Sequence, residues 1–152
     1  MPVLTSDILL EDIQRDDIFE WLGNLDNHLL FLTPSVQKIE KISMNELSIS
    51  LTTNIKNRSF LYTVHKKDDE HGGRRIKIIT TGKRSTGILS YSLRTMKPSR
   101  NTMLTITWDY EVGSALGLLL NTVSLSKSYQ RFLNDITAQI DKNTHWIPKT
   151  NL

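Results

Sequence analysis

At 152 residues, 38% hydrophobic and 23% charged, the chain has the size and composition of one soluble globular domain with one sizeable core. It contains no cysteine, which excludes disulfides, thiol catalysis and cysteine-ligated zinc or iron–sulfur centres. Its net charge of +3, from 19 basic and 16 acidic residues, is too small to call for a nucleic-acid partner. Met1–Asp7 carries no basic segment followed by an apolar run, and no stretch is apolar for long enough to cross a membrane. A cytoplasmic location is the expectation.

Val3–Leu10 reads as a first strand. Gln14 or Asp16 can then cap a short helix, with Asp16 and Asp17 well placed against the positive end of its dipole. Ile18, Phe19, Trp21 and Leu22 form its apolar face, and Gly23-Asn24 ends it. Leu25–Leu32 makes a second short helix, stopped by Thr33-Pro34. Six strands follow. Val36–Ser43 is one. Leu47, Ile49, Leu51 and Thr53 alternate with Ser48, Ser50 and Thr52 in the next. Ser59–Lys67 places Phe60, Tyr62 and Val64 on one face. Asp68–Gly73 reads as a turn by composition. Arg74–Thr81 and Thr86–Met96 are strands separated by Gly82-Lys83-Arg84-Ser85. Thr102–Val112 has the cleanest period of two: Leu104, Ile106, Trp108, Tyr110 and Val112 face inward, while Thr105, Thr107, Asp109 and Glu111 face water. Short connections between successive strands predict an antiparallel meander.

Ser114–Asp141 reads as a long amphipathic helix. Leu118, Leu125, Tyr129, Phe132, Leu133, Ile136 and Ile140 fall in one stripe. Leu116, Leu120 and Val123 lie on nearly the opposite side. Either a bend or late helix start near Gly117 folds them into the core, or they form an exposed apolar patch. Residues 142–152 are expected to be a partly ordered tail.

This order of elements resembles the START-related helix-grip (SRPBCC) superfamily, in its polyketide cyclase/dehydrase and lipid-transport-like branch. The residues that carry the likeness are Asp-Asp-Ile-Phe-Glu-Trp-Leu-Gly-Asn at 16–24 and Pro34 ahead of a strand. Thr-Ile-Thr-Trp-Asp-Tyr-Glu-Val-Gly at 105–113, leading into Leu-Gly-Leu-Leu-Leu at 116–120, completes it. The resemblance implies an α+β fold over residues 1–152 as a single domain. In that fold a seven-stranded curved antiparallel sheet wraps around the C-terminal helix, with two short helices between strands 1 and 2. It also implies that the first strand pairs with the last. The Gly-Pro-Phe segment of the ubiquinone-binding branch and the iron motifs of the oxygenase branch are not found, so no cofactor is expected.

The function implied is binding or transport of a hydrophobic small molecule, lipid or polyketide-like, between sheet and helix. Phe60, Tyr62, Tyr91, Leu104, Ile106, Trp108, Tyr110, Leu116 and Leu120 would line the cavity, although the same residues could simply fill a core. In a meander alternate turns share an end. The turns at Asn54–Arg58 and Gly82–Ser85 therefore lie beside the Gly113 junction, where the resembled fold opens. Lys56, Arg58, Lys83 and Arg84, with His28, would form the rim. Ordinary charged turns give the same pattern, but a basic rim beside apolar residues also suits an anionic membrane surface.

The four histidines, His28, His65, His71 and His145, show no metal-ligand spacing, and no metal site is expected. A surface role is expected for His28. Arg94 could point inward toward an acidic ligand group, but its place near a strand end favours solvent. No nucleophile-elbow serine or catalytic triad can be assembled. Two alternatives remain. One is a cyclase/dehydrase-like enzyme that holds a reactive chain, which requires a polar group in the pocket. The other is a protein-interaction or chaperone-activating module with a packed interior.

Overall fold

The computed structural model describes residues 3–52, 57–70, 73–83, 85–112, 115–145 and 147; side chains are described at all of these except 57, 66, 68–70, 112 and 115–124. The elements in chain order are β1 (Val3–Leu10), α1 (Arg15–Leu22), α2 (Leu25–Leu32), a 3-10 turn (Thr33–Ser35), β2 (Lys38–Ser43), β3 (Glu46–Thr52), β4 (Asn57–Glu70), β5 (Gly73–Gly82), β6 (Ser85–Thr95), β7 (Thr102–Val112) and α3 (Ala115–Thr144). The seven strands form one sheet in the order β1-β7-β6-β5-β4-β3-β2. Every neighbouring pair is antiparallel, including β1 with β7, where Val3 stands opposite Asp109 and Leu10 opposite Thr102.

Alternation decides which face is inside. Leu104, Ile106, Trp108 and Tyr110 of β7 are buried, and so are Leu89, Tyr91 and Leu93 of β6, Ile76 and Ile78 of β5, and Leu47, Ile49 and Leu51 of β3. The intervening residues of β7 are partly or fully exposed, as a one-sided antiparallel sheet requires. Helix α3 supplies the opposing stripe: Leu125, Tyr129, Phe132, Leu133, Ile136 and Ile140 recur at helical spacing and are all buried. The helix also covers the outer edge of β1. Gln130 Nε2 donates to the Thr5 carbonyl at 2.9 Å, and the Ser6 and Thr137 hydroxyls meet at 3.2 Å. A free strand edge is a template for unwanted pairing, and here a helix lies along it.

The two short helices close the other side. Asn24 caps α2 by accepting from the Asp26 backbone N–H at 3.0 Å. Ile18 and Leu22 of α1, and Leu25, Phe31 and Leu32 of α2, join the same core.

Several boundaries differ from the sequence expectation, β5 and β6 by a single residue at each end and others by more. β2 starts at Lys38 rather than Val36, since the chain first makes its 3-10 turn. β4 runs on to Glu70 through residues read as a turn, because 68–70 pair with Arg75, Arg74 and Gly73 of β5. A register shift between Val64 and Lys66 lets that long pairing continue. α3 begins at Ala115, so its backbone is already helical at Gly117, and it extends to Thr144, into the segment read as a partly ordered tail. Ile147 donates to the Thr144 carbonyl at 3.0 Å and packs against the core. No described helix is long and apolar enough to cross a membrane.

Candidate functional site

The inner face of the sheet divides into two neighbourhoods. The first is built on Trp108. Its strand neighbour β6 carries Gly87, opposite Tyr110. A Cβ there would come within 2.8 Å of the Asp109 carbonyl and 2.9 Å of both Trp108 Nε1 and Thr80 Oγ1. Glycine is therefore what lets the indole lie across β6 and donate to Thr80 Oγ1 at 3.1 Å. Tyr129 of α3 stacks on the indole with centroids 4.3 Å apart. Phe60, Tyr110 and Phe132 surround it at 5.7, 5.7 and 5.8 Å. Tyr110 also meets Tyr129 edge-on at 4.8 Å, and its hydroxyl meets Ser126 Oγ at 2.7 Å.

Arg58 belongs to this neighbourhood. It stands opposite Leu51, which is buried, and two residues before Phe60, so register places it on the inner face. The residue is partly buried, and its Nε is shielded from solvent with no hydrogen-bond partner. Burial pushes the Tyr129 hydroxyl up to about 12, with the Arg58 charge acting in the opposite direction. Tyr129 is thus a neutral hydroxyl at ordinary pH.

A cleft of about 250 Å³ opens onto this cluster between residues 34–37, the end of β3 and α3. Leu51, Tyr129 and Phe132 give it an apolar floor, Ser35, Gln37 and Ser128 add polar groups, and Arg131 and Asp135 stand exposed on its helix side. The volume lies just below the ~300–1,000 Å³ usual for small-molecule pockets. Tyr129 and Phe132 belong to both the cleft and the ring cluster, so whatever enters the cleft touches the rings that pack on Trp108.

The second neighbourhood is a closed polar chain. His28 Nε2 lies 2.6 Å from the Leu22 carbonyl, Nδ1 lies 2.5 Å from the Tyr62 hydroxyl, and the Tyr62 and Tyr91 hydroxyls are 2.8 Å apart. A carbonyl only accepts, so Nε2 carries the proton. Burial lowers the His28 pKa to about 4, against an opposing contribution from the Leu22 hydrogen bond, and the Lys67 charge lowers it further. The ring is therefore neutral, and Nδ1 accepts from the Tyr62 hydroxyl. The Tyr62 hydroxyl thus lies within hydrogen-bond distance of both Nδ1 and the Tyr91 hydroxyl. Burial raises both phenols well above their ordinary value. Phe31 packs on His28 at 4.9 Å and on Tyr91 at 6.1 Å.

The residues singled out from the sequence thus separate. Phe60, Trp108 and Tyr110 join the ring cluster; Tyr62 and Tyr91 join the polar chain; Leu104 and Ile106 are buried beside them on β7. His28, expected at the rim with a surface role, is instead wholly buried, because α2 turns that face onto the sheet and Tyr62 satisfies the ring. Arg58 points inward and Lys83 is exposed, while Lys56, Arg84 and the side chains of Leu116, Leu120 and Val123 lie outside the described residues. Arg94 and His65 are exposed. Asp109, expected to face water, is only half-exposed, and its Oδ1 is buried without a hydrogen-bond partner. Among the described residues no group of three metal-ligating side chains converges. The cleft itself was not foreseen. Tyr129 and Phe132 were visible only as members of a core stripe, and residues 34–37 carry no pattern of their own.

No protein-family model and no curated protein matches the chain. Solved structures do. A START superfamily protein from Mycobacterium smegmatis superposes with a TM-score of 0.68 at 10% identity, covering 96% of this chain and 99% of that one. The ginseng major latex-like protein 151 from Panax ginseng superposes with a TM-score of 0.60 at 17% identity, covering 97% and 98%. Norcoclaurine synthase from Thalictrum flavum, in complex with dopamine and hydroxybenzaldehyde, superposes with a TM-score of 0.61 at 15% identity, covering 98% and 89%. The chain has the START-related helix-grip fold. At these identities the likeness is one of fold.

Proposed function

We propose that this protein binds a hydrophobic small molecule between its sheet and α3, taken in through the cleft beside residues 34–37. The observation that carries this reading is the sharing of Tyr129 and Phe132 between the cleft and the rings around Trp108. An apolar floor with a few fixed polar groups suits a ligand that is mostly hydrocarbon or aromatic and carries one or two polar atoms. Burial of its apolar surface would supply most of the affinity, at about 25 cal/mol per Å². Norcoclaurine synthase from Thalictrum flavum, whose structure in complex with dopamine and hydroxybenzaldehyde has this fold, supports such a role.

The enzymatic alternative would draw on the buried histidine. Both nitrogens of His28 are already engaged within the protein, and His28, Tyr62 and Tyr91 line none of the described clefts. We therefore favour carriage over catalysis.

Native mass spectrometry of the purified protein, before and after organic extraction, tests the reading. The expected result is a bound hydrophobic compound that extraction removes. Phe132→Trp, which fills the cleft floor, should reduce its occupancy. Protein that carries nothing and binds no apolar probe on refilling would end the proposal.

A further inference from the structure

The described inner face holds many apolar side chains and one guanidinium. Arg58 enters no ion pair among the described residues, and its Nε is buried with no hydrogen-bond partner. A buried donor without a partner is costly, and buried polar atoms in native proteins ordinarily have one. Among the described side chains around it, none forms an ion pair with it. Leu51 lies opposite, Phe60 lies two residues along the same face, and the nearby Tyr129 hydroxyl is neutral. Arg131 and Asp135, on the helix side of the cleft, carry opposite charges and offset each other to first order. Among the described side chains that leaves the Arg58 charge, which acts on the hydroxyl of Tyr129 at the cleft.

Resting on the binding role proposed above, we infer that the ligand is an amphipathic monoanion whose carboxylate pairs with Arg58 while its apolar part lies against Tyr129 and Phe132. A guanidinium offers a planar fork of donors that matches a carboxylate. A single guanidinium suits a monoanion better than a dianionic phosphate. The Tyr129 hydroxyl, kept neutral, can donate to the same head group. The Arg58 register also explains why a positive charge tolerates this position, since the ligand supplies its counter-charge.

The test pairs two probes with the same tail, sodium octanoate and 1-octanol, titrated calorimetrically into the full chain. Charge-assisted hydrogen bonds lead to an expected preference for octanoate of at least about tenfold. Arg58→Gln should bring the two probes to within about twofold by weakening octanoate alone, and Arg58→Lys should keep part of the preference. Equal affinity for both probes in the native protein, or a carboxylate preference that survives Arg58→Gln, overturns the inference and leaves the binding role standing. Failure of both probes to bind overturns the two together. Should Arg58→Gln not fold, the native comparison and Arg58→Lys still decide.

Discussion

Two halves of one inner face are built on opposite principles. Around Tyr62 and Tyr91 every polar atom has a partner: carbonyl, imidazole and two phenols form an unbroken sequence of hydrogen bonds under Phe31. Around Trp108, two or three residues further along the same strands, the rings pack well, yet a guanidinium nitrogen is left over and a cleft leads in. A half that satisfies itself has nothing to offer a ligand. A half that does not is where a ligand can repay its own desolvation. The contrast predicts that substitutions in the first half cost stability, and that substitutions in the second change binding first.

The largest effect should come from Tyr62→Ala. It empties a fully buried site and strands both His28 and Tyr91, for a loss of roughly 3–5 kcal/mol in urea unfolding. Next is pH. The unfolded histidine takes up a proton near 6.5 whereas folded His28 resists until about 4, so the unfolded state binds more protons between those values. Stability should fall by roughly 3 kcal/mol as pH drops through that window, and His28→Gln should flatten the fall. Unchanged slopes in the variant would mean that other groups dominate. Gly87→Ala should cost about 1–3 kcal/mol, since its methyl meets backbone and indole at under 3 Å. A shift in tryptophan emission should accompany it as Trp108 is pushed off Thr80.

The two halves were not equally legible. β7 shows its bounds because strict alternation runs from Thr102 to Val112 with turn residues on either side. β4 does not. Asp68, Asp69 and Glu70 have turn composition, but their backbone continues the ladder opposite Arg75, Arg74 and Gly73 of β5, a pairing that composition does not reveal. The pairing of β1 with β7 came from the resemblance, since nothing in either strand names its partner. His28 was misplaced because α2 is apolar nearly all round, with Leu25, Leu29, Phe31 and Leu32 leaving no face that reads as outward. The cleft joins residues 34–37, 51–52 and 128–135, segments that only the closed sheet brings together. The inward direction of Arg58, by contrast, follows from counting two residues back from Phe60.

The smallest expected effect on stability sharpens the contrast most. Arg58→Met keeps the aliphatic stem and removes the guanidinium with its buried Nε. In the half that satisfies itself, deleting a polar group leaves a partner stranded; the buried Nε of Arg58 has no partner to strand. The ligand-free variant should therefore be as stable as the parent or up to about 1 kcal/mol more so, measured by urea midpoint with an unchanged slope. A loss of 2 kcal/mol or more would show that the guanidinium is satisfied within the fold, and the two halves would then follow the same principle.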